Sequence, residues 1–197
     1  MASLPPGVCT APSTGSRPPA DPTDASLLDR IAGGDETAFR DLFHRYHSAL
    51  RAFAASIAGE ADADEAVQDV FVGLWHRRGA LSADPSLRAY LFRAARSRAL
   101  NVRRGRRRWA LRFSGLDAAE TVAAPPSGGG EVSQAVAEAV ARLPERQRMA
   151  FQLRHSHGLS YAEIASAMAV TPKTVENHLA RALRTLRYAL SPELAHP

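Results

Sequence analysis

The sequence predicts an all-α chain, two small helical domains joined by a flexible linker. Three observations carry this reading. Apolar residues recur every three or four positions, strand-like alternation with turn dipeptides is absent, and a Pro/Gly-rich stretch splits the chain into two blocks. A length of 197 residues suits one ordinary domain or two small ones, and 45% hydrophobic with 23% charged residues excludes wholesale disorder. No apolar run approaches the ~20 residues of a membrane span, and the opening segment lacks the apolar core of a secretory signal. Cys9 is the single cysteine, which excludes an intramolecular disulfide and any multi-cysteine metal site. A reducing cytoplasm is the expected location.

Residues 1–23, rich in Pro, Ser, Thr and Ala, read as a disordered tail. The first block, 24–112, opens with a short helix through Leu27, Leu28 and Ile31, stopped by Gly33-Gly34. Asp35 caps the next helix, whose buried face is Ala38, Phe39, Leu42, Phe43, Tyr46, Leu50, Phe53 and Ile57, with Gly59 ending it. A third helix, about 61–77, buries Ala63, Val67, Val70, Phe71 and Leu74 and turns Glu65, Gln68, Asp69, Val72 and His76 outward. After a loop over 79–85, Pro85 suits the first turn of a fourth helix reaching about Arg104. Residues 113–130, ending in AAPPSGGG, form the linker, and 191–197 a second tail.

The second block, 131–190, divides into helices at about 131–142, 144–156, 160–168 and 172–190, punctuated by Pro144, Gly158 and Pro172. In the last pair, Ile164, Ala165 and Met168 point inward, Ala169-Val170-Thr171 make a tight turn, and Thr171 caps a helix that begins at Pro172. That helix is expected to bury Val175, Leu179, Leu183, Leu186 and Leu190. Lys173, Thr174, Glu176, Asn177, Arg181 and Arg184 lie on its exposed side. The pattern is that of a helix-turn-helix with base-contacting side chains near the start of its second helix.

The charge is segregated. Asp21 to Trp75 carries four Arg against eleven acids, whereas His76 to Arg112 carries twelve Arg against Asp84 alone. The net charge is +5 and Lys173 is the only lysine. A field this concentrated suits a polyphosphate partner.

GDETAFRDLFHRYHSAL, ADEAVQDVFVGLWHRR and LRAYLFRAARSRALNVRRGRRR resemble successive parts of region 2 of the bacterial sigma-70 family of RNA polymerase subunits, in its compact extracytoplasmic-function group. LPERQRMAFQLRHSHGLSYAEIASAMAVTPKTVENHLARALRTLR resembles region 4. The resemblance implies that Glu65, Gln68, Asp69, Val72 and His76 meet the clamp helices of the largest subunit of core RNA polymerase, and that region 4 meets the flap of the second-largest. It implies that Arg78, Arg88, Phe92, Arg93, Arg96, Arg103 and Arg104 hold the −10 strand of promoter DNA, with Tyr90 a stacking candidate better read as core. Lys173, Thr174, Asn177, His178 and Arg181 would read the −35 element in the major groove. Ser97 and Asn101 stand where the family often has Asn and Asp, which leaves the −10 preference open. An anti-sigma factor is a further implied partner.

No glycine-rich phosphate loop, nucleophile constellation or apolar carboxylate pair points to an enzyme, and no cofactor, metal or small-molecule substrate is expected. His155 and His157 read as dipole-complementing helix-end residues. The alternative reading is a LuxR-type helix-turn-helix regulator, which AVTPKTVENHLARAL also resembles. An RNA-binding or ribosome-associated protein would account for the arginine run alone.

Overall fold

The computed structural model describes residues 23–80, 86–113 and 131–190, with residues 113 and 131–133 described by backbone alone. The first block contains α1 (Asp24–Ala32), α2 (Glu36–Ala58), α3 (Glu60–His76), a 3₁₀ turn (Arg78–Ala80) and α4 (Leu87–Phe113). The second contains α5 (Glu131–Ala141), α6 (Glu145–Phe151) running into a π-helical turn (Gln152–Ser156), α7 (Tyr161–Met168) and α8 (Pro172–Leu190).

The termini form where local chemistry satisfies their backbone groups. Thr23, expected in the tail, caps α1 by accepting from the Ser26 amide, and Asp35 caps α2 by accepting from Thr37 and Ala38. Gly59, at φ 96°, makes the α2–α3 corner in a conformation that would strain a side chain. Ser160 and Glu163 form a reciprocal capping box at α7. Ala169 ends α7 at φ 55°, a left-handed conformation that sets the turn into α8 despite its Cβ.

The blocks, expected to stand apart on a linker, share one apolar core. It runs from Leu27, Leu42, Phe53 and Leu74 through Leu91 and Phe92 to Leu153, Leu159, Ile164 and Val175. Phe53 and Phe92 are each 1% exposed and meet edge-on at 5.3 Å. Burial of a side chain of this kind contributes about 1.5–3 kcal/mol. A satellite cluster of Ala139, Leu143, Ala182 and Leu186 ties α5 to α8.

Three expectations change. α4 continues past Arg104 to Phe113, so the arginine run is helical rather than without a regular face. In α8 the buried stripe is Val175, Leu179, Ala182 and Leu186; Leu183 and Leu190 are 45% and 40% exposed, because α5 and α6 pack on the flank that Ala182 occupies. Phe39 and Phe43 are half-buried rather than core. Of the loop over 79–85, the part from 81 onward lies outside the described residues, as do the linker from 114, residues 1–22 with Cys9, and residues 191–197.

Candidate nucleic-acid interface

Because α3 buries Ala63, Ala66, Val67, Val70, Phe71 and Leu74, its opposite face must be solvent-facing. Glu65, Gln68, Asp69, Val72 and His76 are all exposed there, Val72 by 54%. Gln68, Val72 and His76 help line a groove of about 720 Å³ between α2 and α3, whose other walls are Glu36, Phe39, Arg40, Phe43, Phe71 and Trp75; Glu65 and Asp69 are not part of it. Phe39 stands edge-on to Trp75 at 5.1 Å, and Phe43 lies 4.8 Å from Phe71. Three residues of the expected face thus edge an aromatic floor, and Asp69, outside the groove, is ion-paired with Arg98 at 3.5 Å. Sequence periodicity marks Phe39 and Phe43 as apolar without revealing that they line a groove.

The −10 candidates divide. Arg93 and Arg104 are exposed on α4. Arg78 folds back over the end of α3, donating to the Trp75 carbonyl at 2.9 Å with its guanidinium 4.6 Å from the Trp75 ring centre. Arg88 donates to the backbone carbonyl of His157. Arg103 pairs with Glu145 at 2.9 Å. Arg96 is half-buried with its Nε unpartnered. Burial first, and then the charge of Arg146, lowers its pKa from the ordinary value. Phe92 is a correction. It is 1% exposed, its ring held between Phe53 and His157, so no base can stack on it in this arrangement. Tyr90 is half-buried against the core, as expected of it.

On α8 the Thr171 hydroxyl accepts from the Thr174 amide and meets the Thr174 hydroxyl at 2.9 Å, so Thr174 serves the helix start as well as its outer face. Lys173 pairs with Glu176 at 2.8 Å, but the pair is exposed and easily exchanged for DNA. Asn177 and Arg181 are exposed on the same side. His178 is half-buried, and burial, Arg146 and Arg181 lower its pKa. The side chains facing out from the helix start thus offer amide, ammonium and guanidinium donors of the kind that read base edges.

Sequence reasoning missed His157. Its ring lies 4.9 Å from that of Phe92 and 5.9 Å from that of Phe53. Burial, then the charge of Arg88, depresses its pKa to about 4. It is neutral near pH 7 and is not the dipole-complementing cation expected. Among the described residues no helix is long and apolar enough to cross a membrane.

Residues 42–109 match the family model for sigma-70 region 2, and residues 133–186 that for sigma-70 region 4. The RNA polymerase sigma factor NccH of Alcaligenes xylosoxydans xylosoxydans is 32% identical over 171 residues, 82% of this chain and 92% of that protein. The ECF RNA polymerase sigma-E factor of Escherichia coli K12 is 30% identical over 186 residues, 86% and 95% of the two chains. Among solved structures, CnrH in complex with the cytosolic domain of CnrY matches with TM-score 0.64 and 28% identity, covering 86% of this chain and 97% of that one. The sigma factor RpoE in complex with the anti-sigma factor NepR from Bartonella quintana gives 0.65 and 26%, covering 78% and 96%. With both regions matched in order and relatives aligned over most of their length, the chain belongs to the extracytoplasmic-function group of the sigma-70 family.

Proposed function

We propose that this chain is a transcription initiation factor that binds core RNA polymerase and directs it to promoters. The supporting observation is that one chain carries both an open aromatic groove between α2 and α3 and a helix-turn-helix presenting Asn177 and Arg181. The groove, edged by Gln68, Val72 and His76, takes the clamp helices of the largest subunit as an apolar ridge, with exposed Glu65 and Asp69 on the same face of α3. The second block meets the flap of the second-largest subunit. α4 holds the −10 strand chiefly through phosphate contacts from Arg93, Arg104 and the arginines that follow, which position the strand without reading it. Lys173, Thr174, Asn177, His178 and Arg181 read the −35 element.

The functional units are 24–112 and 131–190. The protein supplies positioning and melting, with no catalytic step and no cofactor of its own, and acts in the cytoplasm beside the polymerase. An anti-sigma factor, like the one that RpoE meets in its complex, is a proposed partner. A LuxR-type regulator is not favoured, since the region 2 match over residues 42–109 has no place in it.

The test is retention of the full chain on immobilised core polymerase, alone and with fork-junction promoter DNA. The expected result is retention by core and a ternary complex that forms only with all three components. A chain that ignores core polymerase yet binds duplex DNA tightly by itself would be a regulator instead.

A further inference from the structure

Where α4 packs on the second block, arginines from three helices come together without carboxylates to match. Arg103 of α4 pairs with Glu145 of α6 at 2.9 Å, which sets the two helices side by side. Arg96 lies two turns earlier on the same side of α4, Arg104 follows Arg103, and Arg146 follows Glu145. Arg146 and Arg181 both act on His178 of α8, so the positive charge continues onto that helix. Among the described residues Arg96, Arg104, Arg146 and Arg181 make no ion pair. The acid whose charge reaches Arg96 is Glu145, already held by Arg103. Elsewhere in the first block Arg30, Arg45, Arg51 and Arg106 each have a carboxylate at 2.8 or 2.9 Å.

Arg96 sets this cluster apart from a solvated basic surface. It is half-buried and its Nε has no hydrogen-bond partner, with Arg104 and Arg146 as like-charged neighbours. A cation held from water in such company is unfavourable until an anion joins it. The cluster also has a length. Arg96 and Arg104 are eight residues apart, about 12 Å along a helix that rises 1.5 Å per residue. One sulfate-sized ion cannot meet both guanidiniums, whereas a short chain of phosphates can. Guanidinium forks match phosphate oxygens in pairs. A nucleic-acid strand would have to bring sugars and bases into the same half-buried space; a bare phosphate chain brings none.

We propose that Arg96, Arg104 and Arg146 form a site for a free oligophosphate, with Arg181 at its outer end. The ligand is an inorganic phosphate chain or the phosphate tail of a nucleotide, which present the same oxygens. The consequence for transcription rests on the functional reading above, which gives Arg104 and Arg181 to promoter DNA. An oligophosphate seated on them competes with that DNA, so initiation falls as the ligand rises.

The test is calorimetric titration of the full free chain with tripolyphosphate, ATP and sulfate at one ionic strength. One tripolyphosphate per chain is expected, bound at least about tenfold tighter than sulfate. ATP that matches tripolyphosphate assigns the ligand to nucleotides, and ATP no better than sulfate assigns it to inorganic chains. Arg146→Gln should weaken tripolyphosphate by about tenfold. Arg146 is exposed and has no ion pair to lose, so this variant decides the matter even if Arg96→Gln fails to fold. Arg40→Gln combined with Arg77→Gln removes two exposed charges away from the cluster and should leave affinity within about twofold.

Tripolyphosphate bound no tighter than sulfate, several ligands per chain, or equal losses in Arg146→Gln and the Arg40/Arg77 pair would overturn the site and leave a general attraction to a basic chain. So would a random single strand of about 20 nucleotides that binds tighter than tripolyphosphate and loses as much with Arg146→Gln, since the cluster would then belong to nucleic acid. Failure to bind core polymerase would instead count against the functional reading, while the free-chain titrations would still decide the site.

Discussion

Asp69 on α3 and Arg98 on α4 stand 3.5 Å apart, each about half exposed, joining the face proposed for polymerase to the helix proposed for DNA. An exposed pair of this kind is worth about 0–1 kcal/mol, so it orients two surfaces rather than holding the fold. A partner helix docking on the face proposed for polymerase would compete with Arg98 for the Asp69 carboxylate.

Gln68→Ala combined with Asp69→Arg is expected to reduce retention on core polymerase at least about tenfold, equivalent to ~1.4 kcal/mol, while leaving helix content unchanged. Pull-down with circular dichroism on the same samples checks both halves. Leu74→Ala is the contrast. Leu74 is 0% exposed, and the cavity left behind should cost about 2–5 kcal/mol of stability.

Arg181→Ala and Asn177→Ala should each cost about 1–3 kcal/mol and relax preference at one −35 position. Both side chains are exposed on α8, away from the buried stripe of Val175, Leu179, Ala182 and Leu186. Transcription from a −35 substitution library reads the effect. Unchanged preference with both variants would place the reading face elsewhere on the helix.

The exposed arginines Arg104, Arg107 and Arg108 continue along α4 and suit phosphate neutralisation. Replacing Arg107 and Arg108 by Ala should weaken holoenzyme binding on all promoters alike. The salt dependence should flatten by about one unit of slope for each phosphate that is no longer neutralised. Binding at two or more salt concentrations on two unrelated promoters distinguishes this from a weakened reading of bases.

The packing of His157 against Phe53 and Phe92 should depend on pH. Its pKa is about 4 when covered, with the Arg88 guanidinium the charged group facing it from α4 and neutral Phe53 and Phe92 rings on the other sides. Uncovered, the imidazole returns toward its ordinary 6.5. The covered state binds fewer protons, so its advantage is complete above about 6.5 and is lost as pH falls from there toward 4. Thermal stability should be constant above about pH 7 and fall below about pH 6 through this group. His157→Gln should remove that response, whereas a response surviving the substitution would rule His157 out as its source.

Most of the helices are readable because their ends carry chemistry the sequence displays, such as Asp35 for α2 and Thr171-Pro172 for α8. The far end of α4 is not. An arginine run has no apolar period to mark a helix, although arginine itself favours one. Leu183 reads as buried because an apolar stripe does not say on which flank the next helix lies; α5 and α6 pack over Ala182 instead. The outward residues of α3 and α8 are legible by spacing. The aromatic groove floor is not, since periodicity tells which face is apolar and not how deeply it is covered. The packing of the second block on α4 is invisible for a simpler reason. Its acceptor for Arg88 is the backbone carbonyl of His157, and a carbonyl has no signature in sequence.

The most direct measurement is transcription by core polymerase from a library with randomised −35 and −10 elements, with and without this chain, at equal core concentration. The account predicts transcripts only when the chain is present, all starting downstream of one paired motif, with Arg181→Ala shifting the −35 half alone. Transcripts that do not depend on the chain, or that share no −35 and −10 motif, would contradict it.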